Sequence, residues 1–194
     1  MWLKKKKEKN KFAKYEALLR QGNEESGKGQ YDRAMEDLDR AIALDPNDAR
    51  AYNNRGLAYA DKSQYDRAIE DFDRAIVLDP NDAEAYSNRG SAYGVKGQHD
   101  RAIADFDRVI VLDPNYAEAY YNRGVAYFTK GQYDRAIADY DKAIVLDPND
   151  AIAYYNRGIS YLKLKDTANA RRSLEKARDL GYPDAQGLID KYCR

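Results

Sequence analysis

The stretch AEAYYNRGVAYFTKGQYDRAIADYDKAIVLDPND fills residues 117–150, and near copies of it run through the chain at a period of 34 residues. Its closing LDPN starts at Leu44, Leu78, Leu112 and Leu146, and its NRG at Asn54, Asn88, Asn122 and Asn156. Working outward gives units at 15–48, 49–82, 83–116 and 117–150, with a degenerate fifth at 151–184. Units two and four agree at 25 of 34 positions. A period of this length marks one supersecondary unit stacked on copies of itself.

Each unit reads as two helices. In the second, Tyr52, Gly56 and Tyr59 are spaced i, i+4, i+7 and share one helical stripe. After a turn at residues 62–64, Ala68, Phe72 and Ala75 repeat the spacing. Asp79-Pro80-Asn81-Asp82 then ends the helix, because proline disfavours helix in the residue before it and Asp or Asn caps the next start. So short a pair cannot bury its stripe alone, whereas stacked pairs can, so the expected fold is an all-α solenoid.

Numbering each unit from its first residue, Tyr at 4, Gly at 8, Tyr at 11, Gly at 15, Tyr at 17, Ala at 20, an aromatic at 24, Ala at 27 and Pro at 32 resemble the tetratricopeptide repeat. The fourth unit carries all nine, as Tyr120, Gly124, Tyr127, Gly131, Tyr133, Ala136, Tyr140, Ala143 and Pro148. The resemblance covers residues 15–184 and implies a right-handed α-solenoid of five hairpins, with residues 185–194 as a capping helix that turns Leu188 and Tyr192 inward. The ends depart from the pattern: Glu25 replaces the Tyr at 11, and Lys165 and Thr167 stand where Gly and Tyr are expected.

Composition excludes several classes. The chain has 33 basic and 33 acidic residues, but residues 1–14 hold seven lysines, Lys4, Lys5, Lys6 and Lys7 among them, against Glu8. This segment offers salt-dependent attraction to nucleic acid or an anionic membrane, as one alternative function. The lone Cys193 provides neither an internal disulfide nor metal-ligand spacing, and mildly favours a reducing, cytoplasmic setting. No apolar run reaches membrane-span length. His99, the only histidine, takes the place of a packing tyrosine, and no phosphate loop or nucleophile constellation occurs, so neither catalysis nor a cofactor is expected.

The first helix of each unit has three faces. Positions 4, 8 and 11 form the core stripe, and 3 and 10 are alanines in units two to four. Units two and four differ at nine positions, five of them on the remaining arc of 2, 5, 9, 12 and 13. The resemblance implies that this arc lines a concave groove for ligands. It is polar near the N-terminus, with Arg50, Asn53, Asp61, Glu84, Ser87 and Ser91. Further on it becomes apolar, with Tyr121, Val125, Phe128, Ile152, Tyr155, Ile159 and Leu162, and marks the expected docking site of a partner segment. The competing expectation is that the cap, or the start of a neighbouring molecule, covers this patch.

Within NRG the three residues differ in role. Glycine at 8 is expected to admit the partner helix. Arginine at 7 is expected to pair with the aspartate at 23 of the preceding unit, as Asp37–Arg55, Asp71–Arg89, Asp105–Arg123 and Asp139–Arg157, with an arginine ladder for an anionic ligand as the rival. The asparagines Asn54, Asn88, Asn122 and Asn156 suit either the backbone of a bound peptide or an internal hydrogen bond. A clamp for acidic chaperone tails would need cations where Leu19, Glu84 and Glu118 stand. The expected function is therefore a non-enzymatic adaptor for a protein segment, with self-association through exposed solenoid faces as a further alternative.

Overall fold

A computed structural model describes residues 2–193, with side chains from residue 6 onward. Every regular element among them is a helix: α1 (Trp2–Gly27), α2 (Tyr31–Leu44), α3 (Ala49–Asp61), α4 (Tyr65–Leu78), α5 (Ala83–Val95), α6 (His99–Leu112), α7 (Ala117–Thr129), α8 (Tyr133–Leu146), α9 (Ala151–Lys163), α10 (Thr167–Asp179) and α11 (Ala185–Tyr192). The chain divides into two compact units, residues 1–96 and 97–194. In the first, α1 to α5 each pack on the next, and α1 touches α3 and α3 touches α5. In the second, α6 to α11 pack in the same serial way and α7 touches α9.

Local chemistry sets the helix ends. Asp45, Asp79, Asp113 and Asp147 each follow a second helix and accept the backbone N–H of the asparagine two residues on, at 2.9–3.1 Å. This side-chain turn carries the chain over the proline, which cannot donate. Asp48, Asp82 and Asp150 then cap α3, α5 and α9 by accepting N–H groups of the first turn. Position 15 of each repeat is left-handed: Gly29, Gly97 and Gly131 have φ of 72–74°, while Ser63 and Lys165 adopt the same conformation at 59° and 62°.

Glycine at position 8 is the close-packing point of the hairpin. A Cβ on Gly56 would lie 2.6 Å from the Phe72 ring, and one on Gly124 would lie 2.8 Å from Tyr140. Phe72, Leu38, Tyr140 and Leu174, all at position 24, are almost wholly buried. Each such side chain contributes about 1.5–3 kcal/mol, and only glycine opposite leaves it room.

The two ends of the chain add to the sequence reading, and at the C-terminal end correct it. Residues 2–14 are the first half of α1, continuous with the first repeat's helix, so the lysine segment is helical. The side chains of Lys4 and Lys5 lie outside the described residues. The cap α11 turns Ala185, Ile189 and Cys193 inward against Ala170, Leu174 and Ala177. Leu188 is only half-buried and Tyr192 is 47% exposed. The spacing i, i+4, i+8 makes Ala185, Ile189 and Cys193 one stripe, and Leu188 and Tyr192 fall on its flank.

Candidate interaction surface

The arginine at position 7 of repeats two to five is an internal brace, with partners other than those the sequence suggested. Arg55 donates from Nε and Nη2 to both oxygens of Asp71, at 2.7 and 2.6 Å, within its own repeat. Its Nη1 donates to Asp39 of the preceding repeat at 2.5 Å. Arg123 binds Asp139 and Asp107 in the same way. Arg89 binds Asp73 at 2.6 Å, and Arg157 binds Asp141 at 2.5 Å and Ser173 at 3.1 Å. Asp37, whose repeat has Gln21 in place of the arginine, pairs with Arg40 instead. Asp105 is buried on α6.

This pairing has a geometric cause. A tight turn pairs residues equidistant from its centre, so positions 7 and 23 meet across the turn at 15. By the same symmetry, position 25 of one repeat meets position 7 of the next across the Pro-Asn loop. The expected pairs gave each arginine one partner, whereas a guanidinium carries five donors. The overlooked signal was the aspartate at 25 in repeats one to four. Tyrosines complete the setting: the Arg55 guanidinium lies 5.7 Å from the Tyr52 ring centroid and 5.9 Å from that of Tyr59. Hydrogen bonds to Asp71 push the Arg55 pKa up against the opposing effect of desolvation. The guanidinium is thus held charged, and its donors are engaged by the fold.

The asparagines at position 6 differ among themselves. Asn88 donates to Asn53 Oδ1 at 3.0 Å and Asn156 to Tyr121 Oη at 2.9 Å, each reaching position 5 of the repeat before. Asn122 reaches Glu118 at 3.4 Å. Asn54 makes no side-chain hydrogen bond among the described residues, since Leu19 stands at position 5 before it. Position 5 is accordingly packed: Asn53 and Ser87 are 5% and 4% exposed. Arg50 is likewise engaged, by Glu16 at 2.8 Å and Asp48 at 2.7 Å.

The apolar residues of α7 and α9 fall into two sets. Tyr121 is half-buried against Tyr140, with ring centroids 5.9 Å apart, and desolvation raises its pKa. Tyr155 lies 4.3 Å from the Tyr182 ring, and Leu162 packs beside the cap, so part of the patch is covered from within the chain. Phe128 meets Tyr133 edge-on at 5.3 Å. Val125 and Ile152 remain open, at 36% and 47% exposure. Ile159 is half-buried and, with Tyr155 and Leu162, lines a groove beside α11. Among the described residues no group of histidine, cysteine and carboxylate side chains could hold a metal ion. No described helix is long and apolar enough to cross a membrane.

Serial helical hairpins, glycine-for-aromatic packing and an Asp-Pro-Asn connection define a helical-hairpin repeat protein. Models described as tetratricopeptide or TPR repeat match residues 19–83, 72–104, 95–131, 126–165 and 152–185, and the chain belongs to the tetratricopeptide-repeat family. No curated protein sequence matches it significantly. Among solved structures, a crystal structure of MamA is 31% identical with a TM-score of 0.77, covering 88% of this chain and 97% of MamA. YrrB, described as a TPR protein with an unusual peptide-binding site, is 26% identical with a TM-score of 0.76 over 90% of each chain. The pilF protein of Pseudomonas aeruginosa shares the fold at 18% identity and a TM-score of 0.83, over 93% of this chain and 82% of its own.

Proposed function

We propose that the protein is a non-enzymatic adaptor that holds a segment of a partner protein against the first-helix face of α7 and α9. The observation that carries this reading is the exposure of Val125 and Ile152 on the same arc as Phe128, Tyr155, Ile159 and Leu162. The corresponding arc of α3 and α5 is polar and engaged internally, through Arg50 and the Asn53–Asn88 bond. Such an apolar contrast marks where a partner gains most from desolvation. The peptide-binding description of YrrB supports the reading by analogy. Asn122, whose internal bond is long, would give its amide to the partner's backbone; Asn54 is the other free amide, with Asn88 and Asn156 already engaged.

The test uses peptides selected from a displayed random library on the intact protein. Val125→Asp with Ile152→Asp should weaken the best peptide at least about tenfold, equivalent to 1.4 kcal/mol, with no loss of helicity. Unchanged affinity would remove the assignment. A second reading rests on α1, where Lys6, Lys7, Lys9, Lys11 and Lys14 are all exposed on one helix. It predicts nucleic-acid or anionic-vesicle binding that falls steeply with salt and disappears when residues 1–14 are deleted.

A further inference from the structure

The groove beside the cap has its own chemistry. Tyr155, Ile159 and Leu162 of α9 and Leu188 and Tyr192 of α11 line a cavity of about 420 Å³, a size within the usual range for ligand sites. Lys163 and Lys165 stand at its edge, both exposed, and no carboxylate lines it. In repeats two to four the lysine at position 14 is committed to an aspartate of the repeat before, as Lys62–Asp32, Lys96–Asp66 and Lys130–Asp100. The fifth repeat has Leu164 at that position and places its lysines on either side. Neither Lys163 nor Lys165 forms an ion pair among the described residues. The adjacent Asp166 is occupied in capping α10, where its carboxylate accepts from Asn169 N and Nδ2 at 3.1 and 2.7 Å.

Charge along the chain sharpens this. Residues 15–150 hold 17 basic and 27 acidic side chains, whereas residues 151–194 hold nine and five. An acidic segment is therefore repelled by most of the repeats and attracted to the last one.

We infer that this groove takes a bulky apolar side chain of the partner segment with an Asp or Glu carboxylate beside it, the carboxylate held by Lys163 and Lys165. The inference rests on the adaptor reading and names the partner's chemistry. It differs from the chaperone-tail clamp, whose cation positions are Leu19, Glu84 and Asn88 in this chain, or Asn53, Glu118 and Asn122 one repeat on.

The experiment is random-peptide selection on the intact protein, followed by fluorescence-anisotropy titration of the strongest peptide. Selected peptides should pair an aromatic or aliphatic residue with a nearby acid. Lys163→Glu with Lys165→Glu should weaken binding at least tenfold, and replacing the peptide's acid by lysine should restore it to that variant. Both lysines are solvent-exposed, so circular dichroism should show the variant folded. Selected peptides without acids overturn the inference. So does charge reversal without effect; if Val125→Asp with Ile152→Asp still weakens binding, the adaptor reading stands alone. A peptide insensitive to all four changes removes both. A concentration-dependent dimer dissolved by Ile159→Asp would assign the groove to a second copy. Phosphatidylglycerol-vesicle binding lost on the lysine reversal, without peptide binding, would assign it to a membrane. Either result overturns the inference.

Discussion

At the residue scale, one arginine in each of repeats two to five joins two hairpins. Arg55 holds a buried aspartate of its own repeat and an exposed one of the repeat before, and the two should differ in energetic weight. Asp71 is 6% exposed, so Asp71→Asn leaves a guanidinium short of a desolvated partner and should cost about 3 kcal/mol in urea unfolding. The Asp39 side chain is 57% exposed, and Asp39→Asn should cost less than about 1 kcal/mol. Equal costs would contradict the assignment of the main bond to Asp71. Glycine makes a matching contrast. Gly56→Ala drives a methyl into the Phe72 ring and should destabilise by about 1–3 kcal/mol. Gly94→Ala meets nothing within 4 Å and should stabilise by up to about 1 kcal/mol. The role of Gly56 was legible in the sequence, because a glycine at fixed spacing among tyrosines in a helix needs a packing reason. The arginine's partners were not, because periodicity gives spacing along one helix and leaves open which helix faces it.

At the element scale, helix boundaries follow from residues whose chemistry is local, which is why the sequence displayed them so clearly. Asp150 caps α9 through two N–H groups at 2.9 and 3.0 Å, and Asp150→Ala should lower stability by about 1 kcal/mol. Ser63 and Lys165 occupy a left-handed turn position that glycine fills in three other repeats. Ser63→Gly should raise the melting temperature by the equivalent of about 1 kcal/mol, and a lower melting temperature would show that its side chain contributes there. Elements whose position depends on tertiary contact were harder to read. The inward face of α11 is set by the surface it covers, Leu174 and Ala177, and repeat periodicity fades at the chain's end. The helical state of residues 2–14 was likewise hidden, because a lysine run carries no apolar stripe.

At the scale of the whole molecule, the repeats share one scaffold but present different arcs. Repeats two and four keep the same tyrosines, glycine and arginine and change at positions 2, 5, 9, 12 and 13. Position 5 turned out to be a packing site in repeats two and three, so the arc is narrower than sequence variation alone suggested. What remains open on α7 and α9, with the groove beside α11, is the surface on which the adaptor reading depends. Hydrogen exchange of the intact protein, with and without the strongest selected peptide, tests that reading most directly. Bound peptide should slow exchange in α7, α9 and α11 and leave α8 and α10 unchanged. Protection confined to α8 and α10, with α7 and α9 unaffected, would contradict it.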